Sequence, residues 1–233
     1  MNVRDTENEL VLQKITEAFV NLDDDLVYDL VDGAITDGIP ANEIFFKGLT
    51  PGLRVITADY KEGGFLSDMI IAGDVFKNSV DKLLPFFESD VPILNCKRDE
   101  YSMVIGTVEN DFHNIGKKLI SAFLKGVGIK IIDIGENISA EEFVAAIKKY
   151  KPNLVGASTK LISNPACREI NKAMTDAGVR NDIFYFVGGW DMDDEWCDEV
   201  GADAFGLDCF DTLDKLCIFL DSAGKLGGMQ SSS

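Results

Sequence analysis

The sequence predicts an α/β protein in which an N-terminal helical bundle is followed by a doubly wound, five-stranded parallel sheet. Two observations lead to this fold class. Apolar residues recur at helical spacing from the start of the chain to about residue 90, whereas beyond about residue 100 short apolar runs alternate with amphipathic segments. Strand–helix alternation of this kind is typical of a parallel sheet that helices cover on both faces.

The first half predicts four or five helices, because none of its segments has the strict alternation of a strand. Breaks between helices are marked by the DGIP stretch at 37–40 and by the EGG stretch at 62–64. Pro51 suits the first position of a helix that starts at Thr50. The apolar stripes that predict these helices run over 12–22, 26–35, 44–49 and 65–84.

The second half predicts the strands of a Rossmann- or flavodoxin-like sheet. One of the intervening helices opens with a capping box, in which Ser139 and Glu142 each satisfy a backbone N–H at the helix start. We place the domain limits at 1–95 for the helical domain, 96–225 for the α/β domain and 226–233 for a flexible tail. The predicted strands cover 103–108, 130–134, 154–158, 183–187 and, more weakly, 202–207.

The composition excludes two classes of partner. The chain has 22 Lys and Arg residues against 40 Asp and Glu residues, a formal net charge of −18. Such a chain is repelled by nucleic acid and by anionic membranes, so we expect neither as a partner. The acidic surface serves solubility, or it steers the docking of more basic partners. The polar N-terminus predicts no signal peptide, and no run is long enough to span a membrane.

The five cysteines are odd in number and lack the spacing of a metal site. They predict reduced thiols in a cytoplasmic protein, not disulfides or metal ligands.

Three stretches with unusual residues follow predicted strands. ENDFHNIG lies at 109–116, STKLISN at 158–164 and GGWD at 188–191. Ligands of open α/β sheets bind beyond the carboxyl ends of the strands, so these stretches predict one site.

His113 is the chain's only histidine and lies in the first of these stretches. Asp111 is close enough in sequence to bind one ring nitrogen and to aim the other outward, as the partners of metal-bound imidazoles do. Gly116 keeps the first helical turn free of a side chain. One imidazole is too few for an ordinary zinc or iron site, so a macrocycle, either a haem or a corrin, has to supply the other ligands.

Two other kinds of site fit the sequence less well. A Ser-His-Asp triad lacks the G-x-S-x-G turn around an activated serine. A nucleotide site lacks the glycine-rich phosphate loop, since GTVEND follows neither the G-x-G-x-x-G nor the Walker pattern.

The stretch GTVENDFHNIGKKL, 106–119, resembles the Asp-x-His-x-x-Gly signature of cobalamin-binding domains of the methionine synthase and corrinoid methyltransferase type. VGAST at 155–159 and FVGGW at 186–190 are similar to two further segments of that family, and DEVGADAFGLD follows in the expected place. The helical half resembles the cap domain that precedes this module in methyl-carrying corrinoid proteins. The resemblance therefore covers nearly the whole chain.

The resemblance implies a cobalamin bound base-off and His-on, with its cobalt in the Co(I) and methylcobalamin forms. His113 would be the lower ligand of cobalt, and Asp111 would control the proton of its ring. Ser158 would bind the displaced base, while Gly116, Gly188 and Gly189 would leave space for the nucleotide tail. The other residues expected to contact the cofactor are Thr107, Asn110, Phe112, Asn114, Ile115, Lys160, Ile162 and Trp190.

Three positions depart from the family pattern. Lys160 stands where the family usually has leucine, and it either pairs with the phosphate of the tail or points to solvent. Trp190 replaces a small residue and either stacks on the cofactor or closes the edge of the domain. In the cap, FLSD at 65–68 replaces an FLPE-like element, and VITADY at 55–60 lacks a glycine that the family usually has upstream of that element.

The function implied by the resemblance is methyl transport in one-carbon metabolism. A substrate-specific methyltransferase would load the corrinoid, a second methyltransferase would pass the methyl group to tetrahydrofolate or coenzyme M, and a reductive activase would restore the cofactor. The chain would not complete a catalytic cycle alone. The alternatives are a cobalamin-dependent sensor or regulator, the small subunit of a cobalamin-dependent mutase, and a flavodoxin-like signalling domain that binds no corrinoid.

Overall fold

A computed structural model describes residues 3–91, 93–94, 96–160, 164–189 and 192–227. The chain forms two compact units, Met1–Ser89 and Asp90–Ser233. The helix that ends the described chain runs to Gly227, and residues 228–233 of the predicted tail lie outside the described residues.

The first unit is helical, as predicted. Its second helix is capped by Asp23, whose carboxylate accepts the backbone N–H of Leu26 at 3.2 Å. Pro51 lies in the first turn of a helix, where its missing N–H costs nothing. The helices are α1 (Val3–Val20), α2 (Asp24–Thr36), α3 (Ala41–Glu43), α4 (Thr50–Lys61) and α5 (Leu66–Leu83), with a π-helical turn at Ile44–Leu49 and a 3₁₀ turn at Leu84–Phe86.

The apolar stripes of the first unit meet in an aromatic core. Phe76 packs against Phe19 edge-to-face with ring centroids 6.2 Å apart, and against Phe45 with centroids 5.7 Å apart. All three side chains are buried. Aromatic pairs in these arrangements add to the free energy already gained by burying the rings. The helical spacing of the stripes therefore gives the unit its own core.

The second unit begins with a feature that the sequence did not predict, a short antiparallel pair of β1 (Asp90–Val91) and β2 (Cys96–Lys97). Strands and helices then alternate as predicted. They are β3 (Ser102–Thr107), α6 (Ile115–Val127), β4 (Lys130–Asp133), α7 (Ala140–Tyr150), β5 (Leu154–Thr159), α8 (Ala166–Asp176), β6 (Phe184–Gly189), α9 (Asp194–Val200), β7 (Ala204–Gly206) and α10 (Cys209–Gly227).

The sheet is parallel throughout its five strands and has the order β4-β3-β5-β6-β7. This is the flavodoxin-like order of a doubly wound fold. Ligands of such folds bind in a crevice at the switch point, where the strand order reverses direction. In this unit that point lies between β3 and β5. The predicted fold class is confirmed.

Buried residues on both faces of the sheet explain the continuous apolar runs. Val104, Val155 and Tyr185, on three neighbouring strands, are fully buried in one cluster. The capping box of α7 is confirmed, because Ser139 Oγ accepts the N–H of Glu142 and Glu142 Oε2 accepts the N–H of Ser139. Within the described ranges, no helix has the length and apolar character needed to cross a membrane.

Candidate functional site

The ends of three neighbouring strands bring predicted site residues into one row. Thr107 on β3 lies beside Ser158 on β5, and Ser158 lies beside Gly188 on β6. The two glycines are not in a turn that follows the strand, since β6 continues through Gly189, which pairs with Thr159. Strand pairing therefore extends further than the sequence predicted, and it aligns the three stretches at one edge.

Asp111 and His113 are joined by two hydrogen bonds. Asp111 Oδ1 accepts the backbone N–H of His113 at 2.8 Å and lies 2.7 Å from ring Nδ1 of the same residue. An ionised carboxylate can only accept, so Nδ1 carries the hydrogen of the neutral ring. The lone pair of the ring is then on Nε2. The side chain of His113 is 63% exposed, whereas that of Asp111 is 6% exposed.

The second oxygen of Asp111 binds the end of β5. Asp111 Oδ2 accepts the backbone N–H of Lys160 at 2.6 Å and the hydroxyl of Thr159 at 3.4 Å. Burial raises the pKa of Asp111, but the N–H groups of His113 and Lys160 and the imidazole ring outweigh it, so the pKa lies below its ordinary value. Asp111 is therefore a charged acceptor that links the histidine loop to the next strand.

Thr107 also forms a hydrogen bond with the loop that contains His113. It is fully buried, and its hydroxyl donates to the carbonyl of His113 at 3.1 Å. Its contact is thus with the backbone of the histidine. Phe112, between Asp111 and His113, is 69% exposed. Asn114 and Ile115 are half-buried where α6 begins.

The three glycines that the sequence singled out differ in their surroundings. A Cβ added to Gly116 would have no atom within 4 Å, and one added to Gly188 would meet only the carbonyl oxygen of Gly206 at 3.8 Å. A Cβ on Gly189 would overlap the carbonyl oxygen of Thr159. Gly189 is therefore required by the sheet itself, whereas Gly116 and Gly188 leave open space at the edge.

Ser158 and Lys160 both lie at the end of β5. Ser158 is half-buried, and its carbonyl accepts the N–H of Val108. The side chain of Lys160 is exposed, while its backbone N–H binds Asp111. Two other predicted residues, Ile162 and Trp190, lie outside the described residues.

The sequence missed the loop after β4, which lies at the same edge. Asn137 Oδ1 accepts the N–H of Asn110 at 2.8 Å, and Glu136 Oε1 accepts from Asn114 Nδ2 at 3.1 Å. The sequence does contain a feature that could have indicated this loop, the polar GEN stretch at 135–137, which follows β4. Thr159 was missed as well, because nothing in its local sequence indicates a bond to a residue 48 positions earlier.

Two families, both described as B12 binding domain, match this chain. One matches residues 101–209, and the other matches residues 11–84. The chain carries two B12 binding domains. The helical unit and the α/β unit each carry one of the two matches, and the family binds cobalamin.

Relatives of this B12-binding protein include trimethylamine corrinoid protein 1 of Methanosarcina acetivorans, 27% identical over 213 residues that cover 89% of this chain and 96% of the relative. A solved cobalamin-binding protein from Desulfitobacterium hafniense DCB-2 has a TM-score of 0.67 and 27% identity, with 90% of this chain and 98% of that chain covered. A chain of the methanol:cobalamin methyltransferase complex from Methanosarcina barkeri has the same fold, with a TM-score of 0.63, 21% identity, and 91% and 80% of the two chains covered.

The residues at the edge of the sheet fit a cobalamin. Its corrin ring brings four nitrogen ligands of its own, so a protein has only to provide an axial donor, and His113 presents one exposed imidazole. No group of three or more His, Cys, Asp and Glu side chains within the described ranges could hold a bare metal ion. A Cβ at Gly116 or at Gly188 would meet little or no protein, so both positions leave open space for a bulky group.

Proposed function

We propose that this protein is a methyl-carrying corrinoid protein that binds cobalamin base-off and His-on. The observation that carries the proposal is the pair formed by Asp111 and His113. Asp111 holds Nδ1 of the ring as a donor, so the exposed Nε2 is the atom that ligates cobalt. When bound, cobalamin would supply the chemistry of methyl transfer, and the residues around His113 would hold it.

The remaining residues at the edge bind and orient the cofactor. Ser158 binds the displaced base, and Gly116, Gly188 and Gly189 line the path of the nucleotide tail. Thr107, Asn110, Phe112, Asn114, Ile115, Lys160, Ile162 and Trp190 complete the contacts. For Thr107 the support is indirect, because its hydroxyl holds the carbonyl of His113.

The protein acts with partner enzymes, since it carries the methyl group without selecting its source. A substrate-specific methyltransferase delivers the group, and a second methyltransferase passes it to tetrahydrofolate or coenzyme M. A reductive activase restores oxidised cofactor. Support comes from the fold shared with a chain of a methanol:cobalamin methyltransferase complex. The cytoplasm suits this chemistry, and all five cysteines are free thiols.

The methyl donor that we propose is a methylamine. The support is the similarity to trimethylamine corrinoid protein 1 over nearly the full length of both chains. Helical residues 1–95 act as the cap in this proposal, and residues 96–225 hold the cofactor.

Reconstitution with hydroxocobalamin tests the proposal. The absorption spectrum of the wild-type complex should be that of a base-off, His-ligated corrinoid, and His113→Ala should remove the His-ligated features. Lys118→Ala, at an exposed position of α6, the helix that follows His113, is the matched control and should leave the spectrum unchanged. An unchanged spectrum for His113→Ala would exclude His113 as the ligand.

A second measurement tests methyl transport. The reduced complex is incubated with labelled trimethylamine, dimethylamine or methanol and a methyltransferase specific for each donor. Label should stay with the protein in the methylamine reactions and should then move to coenzyme M or tetrahydrofolate when the second methyltransferase is added. Absence of label transfer from every donor would contradict a carrier role.

A further inference from the structure

The loop between β4 and α7 hydrogen-bonds to two residues that precede His113, namely Asn110 and Asp111. Asn137 has a φ of 57°, in the left-handed region that Asn tolerates better than most residues. Its side-chain oxygen accepts the N–H of Asn110 at 2.8 Å, and its own N–H donates to the carbonyl of Asp111 at 3.1 Å. One residue thus binds both Asn110 and Asp111.

Asn110 has the same kind of backbone conformation. Its φ is 62°, so it also lies in the left-handed region. A residue held there persists when its surroundings fix it. Because Asn110 is exposed, water can replace Asn137 as the acceptor of its N–H. Loss of the Asn137 side chain would therefore loosen the peptide without unfolding the domain.

The same loop holds the other end of the histidine segment. Glu136 Oε1 accepts a hydrogen bond from the side-chain amide of Asn114 at 3.1 Å. Residues 110–114 are thus bound at their start by Asn137 and at their end by Glu136. His113 lies between these two attachments, so the loop limits how far its backbone can shift.

A buried lysine fixes the loop in turn. The side chain of Lys117 is 1% exposed, and Nζ donates to Asp133 Oδ1 at 2.6 Å and to the carbonyl of Gly135 at 2.9 Å. The N–H of Thr107 donates to the same carbonyl at 3.0 Å. The loop is therefore anchored to α6 and to β3, the two elements that flank the histidine segment.

We propose that Asn137 is a positioning residue for His113. Its hydrogen bonds to the N–H of Asn110 and the carbonyl of Asp111 fix the backbone of these two residues. That backbone places the Asp111 carboxylate against Nδ1 of His113, and the lone pair of the neutral ring is then on Nε2. The proposal rests on the proposed function, in which Nε2 is the cobalt ligand. The hydrogen bonds of Asn137 to this segment go to Asn110 and Asp111, so its effect on the ring passes through Asp111.

The single histidine makes a direct test possible in the protein without corrinoid. Long-range ¹H–¹⁵N NMR of the imidazole reports which ring nitrogen carries the hydrogen, and every histidine signal belongs to His113. The spectra are recorded at a pH above which a further rise no longer changes them. The wild-type protein should show hydrogen on Nδ1.

Asn137→Gly removes the acceptor but keeps a residue that tolerates positive φ. In this variant the population with hydrogen on Nδ1 should fall and that with hydrogen on Nε2, the form preferred by free imidazole, should rise. Asn137→Asp retains an acceptor and should keep the wild-type form. Lys151→Gly is the matched control, because it places a glycine at another positive-φ position, the end of α7, and should change nothing at the ring.

Thermal unfolding of each variant separates positioning from folding. Wild-type ring signals in a folded Asn137→Gly protein would overturn the proposal. The same would hold if Asn137→Asp shifted the ring as far as Asn137→Gly. Neither result would touch the proposed function, which depends on the loss of His ligation in His113→Ala. Conversely, unchanged ligation in His113→Ala would remove the proposed function even if Asn137→Gly altered the ring.

Discussion

One oxygen of the Asp111 carboxylate accepts both the backbone N–H and the ring N–H of His113, at 2.8 and 2.7 Å. The other oxygen accepts the N–H of Lys160 at the end of β5. A single buried carboxylate therefore sets the conformation of the histidine, its tautomer and its distance from the neighbouring strand. The cost of burying that charge is offset by donors on both of its oxygens.

Asp111→Asn should destabilise the protein without corrinoid. An amide has only one accepting oxygen, so its NH₂ group has to face either the N–H groups of His113 or that of Lys160. A buried donor left without an acceptor costs about 1–3 kcal/mol. Denaturant unfolding followed by circular dichroism measures the loss. Asp214→Asn, at an exposed position of α10, should have no measurable effect. Equal stability of the two variants would contradict the role of Asp111 as an acceptor on both sides.

Gly116→Ala should separate cofactor binding from folding. The new methyl group meets no protein atom within 4 Å, and alanine is the better helix former, so the stability should be equal or higher by about 0.5 kcal/mol. Cobalamin should nevertheless bind more weakly, because the methyl group occupies space proposed for the nucleotide tail. Equilibrium dialysis gives the affinity, and unchanged affinity would remove Gly116 from the cofactor site.

Gly189→Ala should destabilise the protein, unlike Gly116→Ala, and serves as the matched comparison for stability. Its methyl group would overlap the carbonyl oxygen of Thr159, so β5 and β6 have to move apart. The expected loss of stability is about 2–3 kcal/mol, as for overpacking in a core. Thermal unfolding of the protein without corrinoid measures it. A stability equal to that of Gly116→Ala would show that β5 and β6 can move apart here without a measurable loss of stability.

Lys117→Met should destabilise the protein by about 1–3 kcal/mol, because it removes the charged donor that Asp133 and the carbonyl of Gly135 share. Within the described part of the chain, Asp133 then keeps only the N–H of Gly135, and the carbonyl of Gly135 keeps only the N–H of Thr107. The partners are partly exposed, so the loss is smaller than for a fully buried ion pair. Lys118→Met changes the adjacent, exposed lysine and should shift stability by less than about 0.5 kcal/mol. Unfolding curves that rank the two variants in the reverse order would contradict the anchoring role of Lys117.

The buried thiols predict a loss of stability in alkali. Burial raises the pKa of Cys167 from 9.0 to about 12 and that of Cys197 to about 11. The folded chain therefore keeps protons that the unfolded chain releases above about pH 9, where unfolded thiols ionise. Stability should be unaffected by these groups below that pH and should fall as the pH rises toward the folded pKa values. Unfolding curves measured across this range, with Cys167→Ala as the comparison, should show a weaker alkaline loss in the variant. An equal loss would assign the effect to other groups.

The sequence predicted the features that depend on local patterns. Helical spacing of apolar residues identified the first unit, and the Ser139–Glu142 pair identified the start of α7. The Asp-x-His-x-x-Gly spacing brought together Asp111 and His113, which are neighbours in the chain and in space. These features need only residues within about one turn of each other.

Contacts between distant loops were not predictable in the same way. Thr159 binds Asp111, which lies 48 positions earlier, and Asn137 binds Asn110, which lies 27 positions earlier. Both bonds are made by polar groups that many loops contain. The end of β6 was misplaced because a Gly-Gly pair favours a turn locally, while pairing with β5 holds it extended. The short strands β1 and β2 have too few residues to show an alternation.

The central claim is that His113 ligates the cobalt of a bound cobalamin, and electron paramagnetic resonance of the cobalt(II) form tests it most directly. The chain has one histidine, so growth on ¹⁵N-histidine labels a single imidazole. The unpaired electron couples to the axial nitrogen, which splits each cobalt line into a triplet for ¹⁴N and a doublet for ¹⁵N. The labelled protein should give doublets. Triplets that persist after labelling, or lines without nitrogen splitting, would show that His113 is not the ligand.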